Sequence, residues 1–205
     1  MENSDPRFVA DGNVGTLARR LRMLGFDAVF AHPVADDELV RIAQRDGRVL
    51  LTRDVYVLHR RPVADGTVRA ILIIRDDIAS QVRQVLRSLD LHAPFASFSR
   101  CLKCNVPLVP TTREDVADEV PPFVYQTHRS FTRCPRCRRI FWSGTHRQRM
   151  LRELSDIIGE DVVEGEGEPP TADPPRAPGT PGATQSREGG ASEPDDQPRE
   201  STRYG

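Results

Sequence analysis

The chain has 205 residues, of which 38% are apolar, and a formal net charge of −1. No apolar run approaches the roughly 20 residues of a membrane span, and residues 1–6 lack the features of a signal peptide, so we expect a cytoplasmic protein. The charge is divided unevenly, because residues 158–205 carry eleven acids and four arginines while residues 1–157 carry +6.

The first half of the chain alternates predicted strands and helices. An apolar run at residues 8–11 predicts a strand ending in Asp11, and apolar residues at helical spacing after it predict a helix that Gly25 closes. Further strands are predicted at residues 28–31, 48–52 and 68–74, and further helices at residues 36–46 and 78–89. Strands separated by helices predict an α/β fold, a parallel sheet flanked by helices.

Acidic residues follow three of the four predicted strands. Asp11 ends the first strand, Asp54 comes just after the third, and Asp76 follows the fourth. Because the carboxyl ends of parallel strands share one edge of a sheet, we expect these side chains at the same rim, together with Asp36 and Asp37 of the second helix. Crowded carboxylates repel each other without a cation, and hard oxygen ligands suit Mg²⁺ or Mn²⁺. The set favours a metal site that acts on phosphodiesters.

Each acid taken alone has a simpler explanation. Asp36 stands where a helix N-cap belongs, and Asp76 or Asp77 could cap the helix that begins near Ile78. Asp11 and Asp54 start no obvious long helix. Asp11 and Asp54 are therefore harder to explain as helix caps. A simple structural role stays open for each acid taken alone, while the set as a whole favours the metal site.

Two CxxC pairs follow the predicted sheet. The spacing of the pairs favours one tetrahedral structural zinc site over disulfides or four unrelated thiols, since cysteines at i and i+3 can both reach one Zn²⁺. With four thiolates bound, no position is left for a catalytic water. The predicted zinc ligands are Cys101, Cys104, Cys134 and Cys137. The 29 residues between the pairs exceed the usual ribbon spacing, so we expect additional structure within residues 116–125.

Eight arginines and no acid occupy residues 129–152 around the second cysteine pair. Guanidinium groups neutralise phosphates, and aromatic rings can stack on unpaired bases. This pattern favours a nucleic-acid surface over simple solvation. Phe131, Phe141 and Trp142 lie within the run, and we expect at least two of the three to form the small core of the ribbon.

Composition divides the chain into three parts. Residues 1–95 form the predicted sheet domain, and residues 96–157 form the zinc ribbon with a C-terminal helix. Residues 158–205 are acidic and rich in Pro and Gly with few large apolar side chains, which predicts a disordered tail.

Several segments resemble the Mut-7 C-terminal RNase domain, a PIN-like nuclease with an appended zinc ribbon. The resemblance covers roughly residues 7–153 and is carried by both halves. The segments are FVAD at 8–11, LARRLRMLG at 17–25, DDEL at 36–39, VLLTRD at 49–54, RCLKCN at 100–105, VPP at 120–122, RCPRC at 133–137 and WSGTH at 142–146.

The resemblance implies a PIN-like fold, ribonuclease activity and an acidic Mg²⁺ or Mn²⁺ site. The catalytic acids that it indicates are Asp11, Asp54 and one of Asp36 or Asp37. RNA is the expected partner, and whether a protein regulator exists stays open. The arginines expected to position RNA are Arg19, Arg20, Arg53, Arg133, Arg136, Arg138 and Arg139. The alternative is a non-catalytic adaptor whose zinc ribbon binds RNA or protein.

Overall fold

Four parallel strands form the first sheet, in the order β2-β1-β3-β4. The computed structural model describes residues 5–159. The strands are β1 (Phe8–Ala10), β2 (Ala28–Phe30), β3 (Val49–Thr52) and β4 (Ala70–Leu72). The helices of this part are α1 (Gly15–Met23), α2 (Asp36–Asp46), α3 (Val55–Leu58), α4 (Arg61–Ala64) and α5 (Ile78–Ser88). The predicted α/β class, a parallel sheet flanked by helices, is confirmed.

The strands are apolar on both faces because helices cover both. Phe8 and Ala10 of β1 are buried in one core with residues of α1 and α5, whereas Val9 is buried in a second core with residues of α2. Leu50 and Leu51 of β3 divide between the two cores in the same way. Alternate side chains of a strand point to opposite faces, so a continuous apolar run indicates a sheet enclosed between helices.

Local capping signals locate most helix ends correctly. Gly47 caps α2 with φ +58, and Gly25 follows the end of α1 with φ +98; both lie in the left-handed region that glycine tolerates. The predicted N-cap role of Asp36 is wrong, because Ala35 is the N-cap and Asp36 is the first helical residue. The short helices α3 and α4 between β3 and β4 were not predicted.

The second sheet is antiparallel and has the order β5-β6-β7. Its strands are β5 (Val109–Thr111), β6 (Phe131–Arg133) and β7 (Ile140–Trp142). A 3₁₀ turn at Glu114–Val116 and helix α6 (Pro122–Thr127) lie between β5 and β6, which confirms the structure expected in the long loop. Val116, Val120 and Phe131 form a small separate core against which Trp142 packs, so two of the three aromatic residues belong to the ribbon core, as expected.

Helix α7 (Thr145–Ile158) leads from the ribbon back to the first sheet. Leu154 and Ile157 are buried in the core shared by α1 and α5. The Arg83 guanidinium donates to the backbone oxygen of Ile157 at 2.9 Å, and Arg20 pairs with Glu153 at 2.6 Å. The last helix of the predicted ribbon therefore also completes the core of the sheet.

Contacts group all the described residues into one compact unit. The division at residues 95 and 96 stays a prediction, since α7 joins both parts. The predicted tail, residues 158–205, lies outside the described residues except for its first two positions. In the described part of the chain, no helix has the length and apolar character needed to cross a membrane.

Candidate functional site

The four cysteines form a compact cluster between the two CxxC turns. Their Sγ atoms all lie within 4.8 Å of one another, and Cys101 and Cys134 are buried. The Sγ atoms of Cys101 and Cys137 are 3.8 Å apart, which matches the edge of about 3.8 Å expected for a tetrahedron with Zn–S bonds of about 2.3 Å. The cluster can hold a zinc ion.

Backbone hydrogen bonds shape each turn of this cluster. The amide of Cys104 donates to Cys101 Sγ at 3.5 Å, and the amide of Cys137 donates to Cys134 Sγ at 3.4 Å. Desolvation and the neighbouring thiols raise the pKa of Cys104 to about 12, whereas the backbone N–H of Arg139 lowers the pKa of Cys137 to about 7. Four thiolates are stable together only when a cation offsets their charge.

The first cysteine turn is fastened to the sheet by hydrogen bonds. Arg22 of α1 donates to the backbone oxygen of Leu102 at 2.8 Å, and Arg100 donates to the backbone oxygen of Gly25 at 2.8 Å. Asn105 donates from Nδ2 to Asp27 at 2.6 Å and accepts from the backbone of Ala28 through Oδ1 at 3.1 Å. The cysteine cluster is thus held against the start of β2.

At the opposite edge of the sheet, Asp11 follows the central strand β1 and is 8% exposed. Its Oδ1 accepts from the backbone of Asn13 at 2.7 Å. Its Oδ2 accepts from Thr52 Oγ1 and from the backbone of Arg53 at 3.2 Å. Asp11 therefore caps a 3₁₀ turn, a role that its sequence position did not reveal, and its carboxylate is held in one orientation at the sheet edge.

The other predicted acids follow the neighbouring strands. Asp54 comes after β3, and its Oδ1 accepts from the backbone of Tyr56 at 2.8 Å, so it caps α3. Asp36 and Asp37 come after β2 and lie near one guanidinium, that of Arg60, at 3.5 and 3.0 Å. Strands β2, β1 and β3 are adjacent, so all four acids lie at one edge.

These acids share one edge of the sheet but do not form a closed ligand set. Among the described residues, only the cysteine cluster brings three or more potential ligand atoms within 4.8 Å. The carboxylates fit a hard divalent cation by chemistry and by position on the edge. Side-chain movement, including release of Asp36 from Arg60, is needed to bring them around one ion.

The remaining acids near this edge have local partners. Asp76 is 2.7 Å from Arg53, and its side chain is 92% exposed. Asp77 accepts from the backbone of Ser80 at 2.8 Å and caps α5, as the capping alternative predicted. Backbone hydrogen bonds at this cap lower the pKa of Asp77.

The predicted RNA-binding arginines occupy different environments. Arg19, Arg136, Arg138 and Arg139 are exposed. Arg20 pairs with Glu153, and Arg53 pairs with Asp76. Arg133 is buried, donating to both carboxylate oxygens of Glu119 at 2.8 and 2.9 Å, so we leave it out of the proposed RNA surface.

Two features of the acidic edge escaped the sequence analysis. Arg60 has no local signal in the sequence, because its proximity to α2 is a tertiary contact. The rings of Phe30 and His32 stack with centroids 5.8 Å apart just after β2, and Phe30 is 41% exposed. A Cβ at Gly15 would lie 2.7 Å from the Phe30 ring, so glycine there makes room for an exposed aromatic pair.

The family model for the Mut7-C RNAse domain matches residues 6–154. The chain belongs to the Mut7-C RNAse domain family. Comparison with curated proteins and with solved structures found no match. The Mut7-C match spans the sheet, the cysteine cluster and nearly all of α7, and it places the chain in a family of nucleases.

Proposed function

We propose that this protein is a ribonuclease that hydrolyses RNA phosphodiester bonds with a carboxylate-bound Mg²⁺ or Mn²⁺ in the cytoplasm. The observation that carries the proposal is the position of Asp11, a nearly buried carboxylate at the end of the central strand. Asp54 and Asp36 follow the strands on either side of it. Membership of a nuclease family supplies the reaction class.

Asp11, Asp54 and Asp36 are the residues that would hold the ion, with Asp37 beside them. When bound, a divalent cation polarises the phosphoryl oxygen, activates a water and stabilises the leaving oxygen. The hydrogen bonds from Asn13, Thr52 and Arg53 fix the Asp11 carboxylate, which makes it the rigid member of the set. Asp36 and Asp54 are half-buried and adjust around it.

Exposed arginines outside the acidic edge supply the binding of the RNA backbone. Arg19 lies on α1, while Arg136, Arg138 and Arg139 belong to the second cysteine turn. Guanidinium groups in these places neutralise phosphates without lying among the metal ligands. The zinc ribbon thus positions RNA, and its own metal is structural.

A second candidate function is a non-catalytic adaptor that binds RNA or protein. The favouring observation is that the acids already have partners: Arg60 offsets part of the charge of Asp36 and Asp37, and Asp54 caps α3. Such an edge is stable without any cation.

Asp54→Asn and Asp36→Asn test the ribonuclease directly. Asparagine caps a helix as well as aspartate does, so Asp54→Asn keeps the α3 cap while removing a charge that the cation requires. We expect each variant to lose at least about a hundredfold in the rate of RNA cleavage with Mn²⁺ and to keep its thermal transition. The measurement is cleavage of labelled single-stranded and structured RNA with and without Mg²⁺ or Mn²⁺.

Asp118→Asn is the matched control, because Asp118 is exposed on the loop before α6. Asp11→Asn is a poorer test, since an amide in place of a carboxylate that accepts three hydrogen bonds also costs about 1–3 kcal/mol of stability. Cleavage at the parental rate in both chosen variants would show that the active site is elsewhere. A parent that never cleaves RNA would favour the adaptor.

A further inference from the structure

A cavity of about 310 Å³ lies where the first cysteine turn, β7 and the start of α7 meet. Arg19 brings α1 into its wall, and Met150 and Leu108 add apolar surface. Its volume is at the lower end of the range for small-molecule sites, about 300–1,000 Å³, so it suits a single nucleotide rather than a duplex.

Every charged side chain around this cavity is basic. Within the described chain, no Asp or Glu lines it, and the basic lining residues are Arg19, Arg100, Lys103, Arg139, His146 and Arg147. Arg100 is committed to the backbone oxygens of Gly25 and Asn105. Arg19, Lys103 and Arg139 are exposed, and among the described residues their side chains have no carboxylate partner, unlike Arg20 and Arg53. Unpaired cations around a concave site attract an anion.

Three aromatic rings complete the wall. Phe98 lies beneath the Arg147 guanidinium, at 5.3 Å from the ring centroid, and Phe141 and Trp142 come from β7. Phe141 is half-buried and lies outside the small ribbon core, Trp142 packs against that core and also lines the cavity, and Phe131 is inside the core. Aromatic surface beside arginines that have no carboxylate partner, here Arg19 and Arg139, is the combination that binds unpaired bases.

We propose that this cavity is a nucleotide-binding subsite that holds one unpaired base of a single-stranded RNA. The base lies against Phe141 and Trp142, and Arg19, Lys103 and Arg139 neutralise the adjoining phosphates. Arg19 is four residues along α1 from Gly15, a rise of about 6 Å, so the helix that starts beside Asp11 leads to the subsite. The choice of RNA rests on the proposed ribonuclease function.

Trp142 is the single tryptophan of the chain, so its fluorescence reports on this cavity. The experiment titrates the full chain with a 12-nucleotide oligo(A) RNA, without added Mg²⁺ or Mn²⁺, so that binding is measured apart from cleavage. We expect saturable quenching, and an increase in Kd of about tenfold for Phe141→Leu. For Arg139→Gln, we expect the plot of log K against log salt to become less steep by about one unit, because one phosphate contact is lost.

The matched controls are Phe123→Leu and Arg87→Gln, because Phe123 is 72% exposed on α6, Arg87 is exposed on α5, and neither lines the cavity. Both should bind as the parent does, and the thermal transition of each variant shows whether it folds. Equal losses in variants and controls, no quenching, or tighter binding of the corresponding duplex would overturn the subsite. Quenching by polyglutamate and not by RNA would overturn it in favour of an acidic protein partner. A parent that is quenched but never cleaves RNA would contradict only the ribonuclease.

Discussion

Arg60 places a positive charge where the proposed reaction requires a cation. Its guanidinium lies 3.0 Å from Asp37 and 3.5 Å from Asp36, and its side chain is 43% exposed. Exposed ion pairs contribute only about 0–1 kcal/mol, so the arginine can give way to a divalent ion at little cost. In the absence of metal, the positive charge of Arg60 reduces the repulsion between Asp36 and Asp37.

Arg60→Gln should therefore make the acidic edge bind its ion more tightly. We expect the Mn²⁺ concentration for half-maximal cleavage to fall about two- to fivefold, because the competing charge is gone. The measurement is the rate of RNA cleavage over a Mn²⁺ titration, with Arg61→Gln as the control at the adjacent exposed position. A half-maximal concentration that stays the same or rises would show that Arg60 does not compete with the metal.

At the scale of elements, the strands β5, β6 and β7 depend on the cysteine cluster. Among residues 5–159, their own core contains three buried apolar residues, Val116, Val120 and Phe131, which is too little to hold a three-stranded sheet. The helix α7, in contrast, is anchored by Leu154 and Ile157 in the core of the first sheet. We therefore expect loss of zinc to open the sheet of β5, β6 and β7 while the end of α7 stays folded.

The protein should contain one zinc per chain, and its removal by a chelator or by Cys134→Ser should open the ribbon alone. We expect deuterium uptake to rise across residues 107–142, while residues 8–52 and the end of α7 stay protected. Hydrogen exchange read by mass spectrometry measures this, and adding zinc back to the chelated protein should restore protection. Purified protein without zinc, or uptake that rises evenly along the chain, would contradict the prediction.

Across the whole molecule, Asp27 joins the two halves. Its carboxylate accepts two hydrogen bonds from Arg48, at 2.8 and 3.1 Å, and one from Asn105 beside the first cysteine turn. Burial raises the pKa of Asp27, but the hydrogen bonds from Arg48 and Asn105 outweigh it and leave the pKa below its ordinary value. The stability that this residue contributes is therefore complete above its unfolded pKa of about 3.9 and is lost as the pH falls through the folded pKa.

Asp27→Asn should lower the free energy of unfolding by about 2 kcal/mol at pH 7, because Arg48 loses its nearest charged partner and keeps only the longer contact to Asp46 at 3.6 Å. The difference from the parent should begin to shrink below about pH 4, where the carboxylate of the unfolded parent becomes protonated, and it should shrink further as the pH falls through the lowered folded pKa. Urea unfolding at pH 7 and pH 3 measures both values, with the exposed Asp118→Asn as the control. A difference that is the same at both pH values would show that the charge of Asp27 does not carry the effect.

Much of the fold was predictable because its signals are local. The apolar strands, the left-handed caps at Gly25 and Gly47, and the two cysteine turns each depend on residues close together in the chain. The missed helices α3 and α4 are four residues each, too short for a helical period to show. The alternation of strands and helices in the first sheet followed from the same local signals. The additional structure between the two cysteine pairs followed from the length of that loop.

The sequence by itself determined the α/β class and the four cysteines that cluster, because apolar patterning and CxxC spacing encode them directly. The family followed from the resemblance of several segments, which the family model confirmed. Only the tertiary structure decided that Arg60 faces Asp36, that Arg133 is buried with Glu119, and that α7 completes the first core. The cavity proposed as a nucleotide subsite also required the tertiary structure, since Arg19, Lys103 and Arg139 are far apart in the chain and meet only after folding. Such contacts depend on how elements pack, and no local pattern in the sequence specifies that packing.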